Sequence, residues 1–542
     1  MSAGQTDPII DIRGLAVDYR RDGRVSHALR GIDLRVARGE RVAIVGESGS
    51  GKSTAALALL GLLPHTGHVV AGSAKVAGVE LAGASERIAR GIRGRIVGLV
   101  PQDPTVSLNP THRIGHQVAE AVRLRGVPKP YVDAAVVEAL EQAGIDDPVA
   151  RAQQYPHELS GGLRQRVLIA IALAGDPDVI VADEPTSALD VTVQRRILDH
   201  LDALVRERGI ALVIITHDLG VAADRADRVV VLQDGLVVEH GPAVEVLAAP
   251  EHSYTKRLVT AAPGLVSVVP PRKPEAATPV LLRWEAVTKD FPLPRGAASP
   301  ALRAVDRVSL EAHSGRTLAI VGESGSGKTT LLRIALGLEK PTEGRVVFDG
   351  SDITRLGWRE ARPLRRRFQL VQQNPFASLD PRFTIGRSVA EPLVSFGIGS
   401  RRTRRARVAE LLDLVALPAD AADRRPSELS GGQRQRAAIA RALAVEPELL
   451  YLDEPVSALD VSVQDQVLRL LARLQADLGV GYVLVSHDLG VVAQVAHEVA
   501  VVRGGRVLER GTAARVLSAP EHEYTRALLD AVPGRTLREA VA

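Results

Sequence analysis

The chain states one plan twice. VAIVGESGSGKST at 42–54 returns as LAIVGESGSGKTT at 318–330, LSGGLRQR at 159–166 as LSGGQRQR at 429–436, and ADEPTSALDVTVQ at 182–194 as LDEPVSALDVSVQ at 452–464. ITHDLGV at 215–221 returns as VSHDLGV at 485–491, and PEHSYTKRL at 250–258 as PEHEYTRAL at 520–528. The order is kept and the spacing shifts by only a few residues. Any fold for the chain must therefore hold two copies of one domain, each of roughly 260 residues. A length of 542 residues is in any case too great for a single core. Between the copies lies PGLVSVVPPRKPEAATP, with five prolines and neither helical nor strand periodicity, which reads as an extended spacer. The expected organisation is a first domain over 1–262, a linker over 263–280 and a second domain over 281–542.

Short β-branched runs precede the repeated motifs, as in RVAIVG (41–46), DVIVAD (178–183) and ALVIIT (211–216). Longer amphipathic stretches such as YVDAAVVEALEQAG (131–144) separate them. Buried strands alternating with helices predict an α/β fold with a largely parallel sheet. The mostly helical stretch at about 103–170 reads as a helical subdomain inserted into that core.

Composition removes several classes of function. There is no cysteine, so disulfides, thiolate zinc sites, Fe–S clusters and cysteine nucleophiles are excluded. No run of 18 apolar residues occurs, so no membrane-spanning helix is expected, and the N-terminal stretch has no secretory-signal pattern. Net charge is only +4. The arginine clusters Arg362, Arg365, Arg366 and Arg367, and Arg401, Arg402, Arg404, Arg405 and Arg407, read as solvated helical faces, with contact to lipid headgroups or a partner as the alternative.

The pattern G-x-x-x-x-G-K-[ST] occurs at Gly46–Ser53 and again at Gly322–Thr329, each after an apolar run and before a helical stretch. Its glycines let successive backbone N–H groups curl around phosphate oxygens, and the following helix adds its positive end. Gly46, Ser48, Gly49, Gly51 and Thr54, with Gly322, Ser324, Gly325, Gly327 and Thr330, are the expected nucleotide-binding residues. Lys52 and Lys328 are expected on the β- and γ-phosphates, and Ser53 and Thr329 on Mg²⁺. Asp183 and Asp453 close apolar runs, where a carboxylate can hold the hydrated Mg²⁺. Glu184 and Glu454 follow directly and can orient or deprotonate an attacking water.

These motifs together resemble the ABC transporter ATPase family, and LSGGLRQR and LSGGQRQR resemble its signature motif. The resemblance implies two tandem ABC-type P-loop NTPase domains, each a RecA-like core with an antiparallel β-subdomain and a helical subdomain. It implies ATP and Mg²⁺ as cofactors. It also implies that each signature closes over the nucleotide of the other domain: Ser430, Gly431, Gly432 and Gln433 over the site of Lys52, and Ser160, Gly161 and Gly162 over that of Lys328. Gln102 and Gln373 look like the glutamines that sense Mg²⁺ and the γ-phosphate. His217 and His487 look like the switch histidines, SALD at 187–190 and 457–460 like the D-loop, and Tyr19 and Phe291 like the aromatic that stacks on adenine. The first signature departs from the second in carrying Leu163 where the other has Gln433.

QDPTVSLNP (102–110), QNPFASLDP (373–381) and the PEHSYT and PEHEYT segments narrow the resemblance to the dipeptide/oligopeptide/nickel importer subfamily. That implies an ATPase on the cytoplasmic face of the membrane, with two permease subunits and an extracytoplasmic solute-binding protein as partners and no nucleic acid. The competing expectation is a soluble double-cassette ATPase acting on ribosomes, disfavoured by the short proline-rich linker.

Overall fold

The apolar runs that lead into the motifs become the inner strands of a six-stranded sheet, once in each half. The computed structural model describes residues 7–21, 23–186, 189–262, 278–293, 300–374, 378–457 and 459–541, so most of the expected linker lies outside the described residues. The chain divides into two compact units, Met1–Leu265 with Val532–Ala542, and Val266–Ala531.

In the first unit the strands are β1 (Ile10–Arg21), β2 (Arg24–Val36), β3 (Arg41–Val45), β4 (Gly67–Val76), β5 (Val79–Glu80), β6 (Val97–Val100), β7 (Val179–Asp183), β8 (Ala211–Ile215), β9 (Arg228–Gln233) and β10 (Leu236–Pro242). The large sheet runs β10-β9-β3-β8-β7-β6 and the small one β2-β1-β4-β5. Strands β6 to β9 and β3 pair in parallel, whereas β10 closes the edge antiparallel to β9. The small sheet is antiparallel throughout.

Strand periodicity of two explains why the inner strands are apolar at every position. Val179 and Val181 of β7 face the core shared with β1 and the helix Lys52–Leu59. Ile180 and Ala182 face the opposite core, against Ile197 and Leu201 of the helix Val191–Arg208. The helical subdomain packs Val118 and Val122, Val136 and Leu140, and Val167 around its own core. The helix Gly161–Ala174 serves both regions, giving Val167 and Ala170 to the helical core and Ile169 and Leu173 to the sheet. That double burial is why the run after LSGGLRQR is apolar all round rather than striped.

The second unit repeats the plan with β11 (Val280–Pro292), β12 (Ala301–His313), β13 (Thr317–Val321), β14 (Glu343–Phe348), β15 (Ser351–Asp352), β16 (Phe368–Val371), β17 (Leu449–Asp453), β18 (Gly481–Ser486), β19 (Glu498–Arg503) and β20 (Arg506–Thr512). Its sheets run β16-β17-β18-β13-β19-β20 and β12-β11-β14-β15. In both units the central strand, β3 or β13, lies between two parallel partners that are not its neighbours in the chain, β8 and β9 or β18 and β19. The crevice at the carboxyl ends of such strands is where open α/β sheets bind ligands.

The end of the chain departs from the expected second domain of 281–542. The helix Arg535–Val541 packs on the helices Leu219–Arg225 and Ala243–Ala248 of the first unit. Asp224 supplies the physical reason, accepting from the backbone N–H of Gly534 at 2.7 Å and of Thr536 at 3.0 Å. A carboxylate there satisfies helix-start donors that have no partner in their own helix. Gly220 leaves room, since a Cβ on it would stand 2.7 Å from the Pro533 carbonyl carbon.

Candidate active site

Each phosphate loop joins a buried strand to a helix whose first residue is the lysine, Lys52 or Lys328. The glycines are required by geometry. Gly46 and Gly322 both sit at φ 152°, and a Cβ would come within 2.2 Å of Leu232 O in the first loop and 2.1 Å of Val502 O in the second. Gly51 and Gly327 cap the helices at φ 106° against the Ala28 and Ala304 carbonyls. Ser48, Gly49, Ser324 and Gly325 form the exposed crests of the loops, while Ser53 and Thr329 are exposed on the first helical turn. Lys52 is buried and donates to Gly46 O at 2.8 Å and Glu47 O at 2.7 Å. Lys328 does the same to Gly322 O and Glu323 O, both at 2.7 Å.

The acidic pair lies at the end of the neighbouring strand but one. Asp183 ends β7 and Asp453 ends β17. Burial, then the adjacent Glu184 charge, pushes the Asp183 carboxyl above its ordinary range, against a hydrogen bond from Ser53 and the Lys52 charge. Asp453 is raised by the same two causes, burial and Glu454, and opposed by Lys328. With the Ser53 or Thr329 hydroxyl, each aspartate offers an all-oxygen donor set suited to a hard divalent cation.

Glu184 and Glu454 are held at φ 45°, a backbone region that residues with a Cβ seldom occupy. Each is pinned by its N–H, Glu184 to Ile215 O at 2.8 Å and Glu454 to Val485 O at 3.0 Å. The side chains are clamped from both sides. Gln102 Nε2 donates to Glu184 Oε2 at 2.7 Å, and His217 Nδ1 lies 2.9 Å from Oε1. Gln373 and His487 hold Glu454 at the same distances, 2.7 and 2.9 Å. Burial works against the ionised form of Glu184, yet the His217 contact, the Lys52 charge and the Gln102 amide hold its carboxyl below the usual range. Glu454 is lowered likewise, burial being outweighed by His487, Lys328 and Ser457. Burial opposes protonation of His487, but Glu454 and then Asp488 raise it above the ordinary imidazole range. The expected glutamate, histidine and glutamine therefore meet in one hydrogen-bonded group in each unit.

Ser160 and Ser430 are the N-caps of the signature helices, accepting from Leu163 N at 3.4 Å and Gln433 N at 3.3 Å. Neither Gly162 nor Gly432 has room for a side chain: a Cβ would lie 2.7 Å from Val193 and 2.3 Å from Val463. The departure at Leu163 now has a structural meaning. Gln433 Oε1 accepts from Ser430 N at 3.0 Å and completes a reciprocal cap. Leu163 instead packs on the helical-subdomain core.

Tyr19 lies on β1 with its hydroxyl 3.4 Å from Thr54 Oγ1, beside the helix that follows the loop. Phe291 lies on β11 with Lys289 Nζ 4.9 Å from its ring centre. Of the expected D-loops, residues 187–188 and 458 lie outside the described residues.

Two residues escape motif reading. Tyr254 accepts a hydrogen bond from Glu47 N at 2.8 Å, and Tyr524 one from Glu323 N at 3.2 Å, so each buried phenol braces its own phosphate loop. Upstream, Glu239 accepts from the N–H groups of Glu251 and His252, and Glu509 from those of Glu521 and His522. The signal was present in the repeated PEHSYT and PEHEYT. Nothing local links a tyrosine to a loop some 200 residues away.

Comparison with known proteins places the chain in a family. The ABC transporter family model matches residues 29–187 and 305–457, and a model described as the oligopeptide/dipeptide transporter C-terminal region matches 508–539. The oligopeptide transport ATP-binding protein OppD of Mycobacterium tuberculosis is 44% identical, with 97% of this chain and 98% of that protein aligned. The glutathione import ATP-binding protein GsiA of Salmonella typhimurium is 42% identical, with 97% and 89% aligned. A solved dimeric ATP-binding cassette in a post-hydrolysis state with ADP and Pi aligns at TM-score 0.40 and 33% identity, over 43% of this chain and 99% of that one. These full-length relatives overturn the ribosome-acting alternative. The chain belongs to the ABC transporter family, as a fused pair of ATP-hydrolysing cassettes.

Proposed function

We propose that the chain powers a binding-protein-dependent importer of di- or oligopeptides, or of a peptide-like solute such as glutathione, from the cytoplasmic face of the membrane. The observation that carries this reading is the match of residues 508–539 to an oligopeptide/dipeptide transporter region, at the end of a chain that aligns with import ATPases throughout. No helix among the described residues is long and apolar enough to cross a membrane. Two permease subunits would provide the path and an extracytoplasmic binding protein the selection.

In the proposed chemistry the loop N–H groups and Lys52 or Lys328 hold the nucleotide phosphates. Ser53 with Asp183, and Thr329 with Asp453, hold Mg²⁺, which when bound supplies positive charge against the phosphate oxygens. Gln102 and Gln373 add an amide oxygen to the cation. Tyr19 and Phe291 support the adenine. Both oxygens of Glu184 and of Glu454 are engaged by the clamp, and a carboxylate in that state is a poor base. Transfer of the glutamine and histidine contacts to the nucleotide would free the glutamate to orient and deprotonate water. While clamped, the glutamate is held in its ionised form by the histidine contact and the phosphate-loop lysine.

Affinity capture of the Glu184→Gln/Glu454→Gln chain from detergent-solubilised native membranes, read by mass spectrometry, tests the reading. Recovery of two multispanning permeases and an extracytoplasmic binding protein is expected. Recovery of ribosomal proteins without a permease would overturn it.

A further inference from the structure

On the segment that leaves Gln102, the first cassette carries His112, His116 and Glu120, spaced by four residues. Their ligating atoms all lie within 4.8 Å of one another. His116 and Glu120 sit on the helix Ile114–Leu124, and His112 on the turn before it. Side chains four apart on a helix share a face, which places His116 Nδ1 3.7 Å from Glu120 Oε1. The two imidazoles meet edge to face with ring centres 4.9 Å apart.

The position of His112 is built rather than incidental. Gln117 reaches back from the helix, accepting from Asn109 N at 2.9 Å and donating to Asn109 O at 3.1 Å and His112 O at 3.0 Å. Asn109 Oδ1 in turn accepts from Thr111 N and Thr111 Oγ1, at 3.0 and 2.7 Å. The Gln117 side chain thus fastens the turn to the helix and leaves the side chains of the three candidate ligands unused in that bracing.

The second cassette serves as an internal control. The same turn and helix there carry Phe383, Arg387 and Glu391, and the Arg387 guanidinium stacks 3.6 Å from the Phe383 ring centre. The turn-to-helix contact recurs with side chains that cannot ligate a metal as a set, and Ser388 stands in place of Gln117. Packing alone therefore does not call for two histidines.

We propose that His112, His116 and Glu120 bind a divalent transition-metal ion of the zinc class, at a site confined among the described residues to the first cassette. Two imidazoles and a carboxylate are a ligand set favoured by Zn²⁺, with water completing a tetrahedron. Zn–N distances of about 2.0–2.1 Å set ligand atoms roughly 3.3 Å apart. The exposure of His116 and Glu120, 53% and 62%, leaves their side chains room to close by that amount. Mg²⁺ prefers oxygen ligands and does not compete. A bound ion fastens the turn 109–112 to its helix, stiffening the stretch that follows Gln102 in one cassette and not the other.

The test is titration of the tag-free, nucleotide-free full chain with Zn²⁺ against a chromophoric chelator, with Co²⁺ absorption as a report of geometry. One Zn²⁺ per chain is expected, unaffected by millimolar Mg²⁺ and abolished in His112→Ala/His116→Ala. Glu120→Gln should weaken binding by more than the roughly 10–100-fold that loss of an outer-sphere partner costs. Gln117→Ala should weaken it within that range. Co²⁺ should give an intense tetrahedral band in the wild type and none in the double variant. Zn²⁺ stoichiometry unchanged in the double variant, or no binding in the wild type, would overturn the proposal.

Discussion

Replacing Tyr254 and Tyr524 by Phe asks how far the phosphate loops depend on side chains outside their motif. Each change removes one oxygen and keeps the ring, so packing is preserved: Tyr254 is 2% exposed and Tyr524 5%. What is lost is the acceptor for Glu47 N–H at 2.8 Å or Glu323 N–H at 3.2 Å. A buried donor left without a partner costs about 1–3 kcal/mol. Glu47 and Glu323 are only part-buried, and water can recover some of that, so about 1 kcal/mol is the reasonable share. The cost falls on the loop shape that receives phosphate, and at about 1.4 kcal/mol per factor of ten it predicts a roughly fivefold weaker ATP affinity per site. Isothermal titration with ATP on each single variant would read it, with thermal midpoints expected to fall by about 2–4 °C. The shorter bond makes Tyr254→Phe the more damaging of the two. ATP affinity unchanged within twofold in both variants would refute the bracing role.

Three further outcomes follow from the same geometry. The His487–Glu454 pair contributes stability above the ordinary glutamate range, lost as pH falls through the depressed Glu454 pKa. His487, raised, contributes below the ordinary imidazole range of about 6.5, lost as pH rises through its own pKa. The melting difference between wild type and His487→Asn should therefore peak at mildly acid pH and shrink on both sides; a flat difference across pH would contradict the ion pair. Gly327→Ala meets both strained φ and the Ala304 carbonyl at 2.3 Å, whereas Gly325→Ala at φ 78° meets nothing within 4 Å. Thermal melts should show Gly325→Ala losing only the left-handed strain of about 1–2 kcal/mol and Gly327→Ala clearly more; equal losses would discount the close approach. Gln433→Leu removes the acceptor of Ser430 N–H and makes the second signature like the first. Hydrogen exchange at Ser430 should quicken by roughly fivefold, for a loss of about 1 kcal/mol, and an unchanged rate would deny the cap.

The parts of the molecule legible in the sequence are those where one local pattern has one physical solution. The two phosphate loops, the strands ending in Asp183 and Asp453, and the helical insertion are of this kind. Short β-branched runs buried on both faces form the inner strands, and glycines at fixed offsets mark a loop that closes on a phosphate. Long-range pairings were not legible. The bond from Tyr254 to Glu47 and the cap that Asp224 gives to Gly534 join positions whose neighbours in sequence give no hint of each other. Gln433, expected over a nucleotide, also uses its side-chain oxygen to cap its own helix, a contact that the motif does not announce. The positive φ of Glu184 and Glu454 is likewise imposed by the Ile215 and Val485 carbonyls across the sheet rather than by residue type.

The central claim is that Glu184 and Glu454, released from their glutamine and histidine clamps, activate the water that cleaves ATP. Single-turnover ATP hydrolysis by the Glu184→Gln/Glu454→Gln chain, measured beside equilibrium ATP binding, tests it most directly. The account predicts binding within a few-fold of wild type and turnover reduced at least by the roughly 10²–10⁴-fold expected of a lost general base. Turnover within tenfold of wild type, with binding intact, would contradict it.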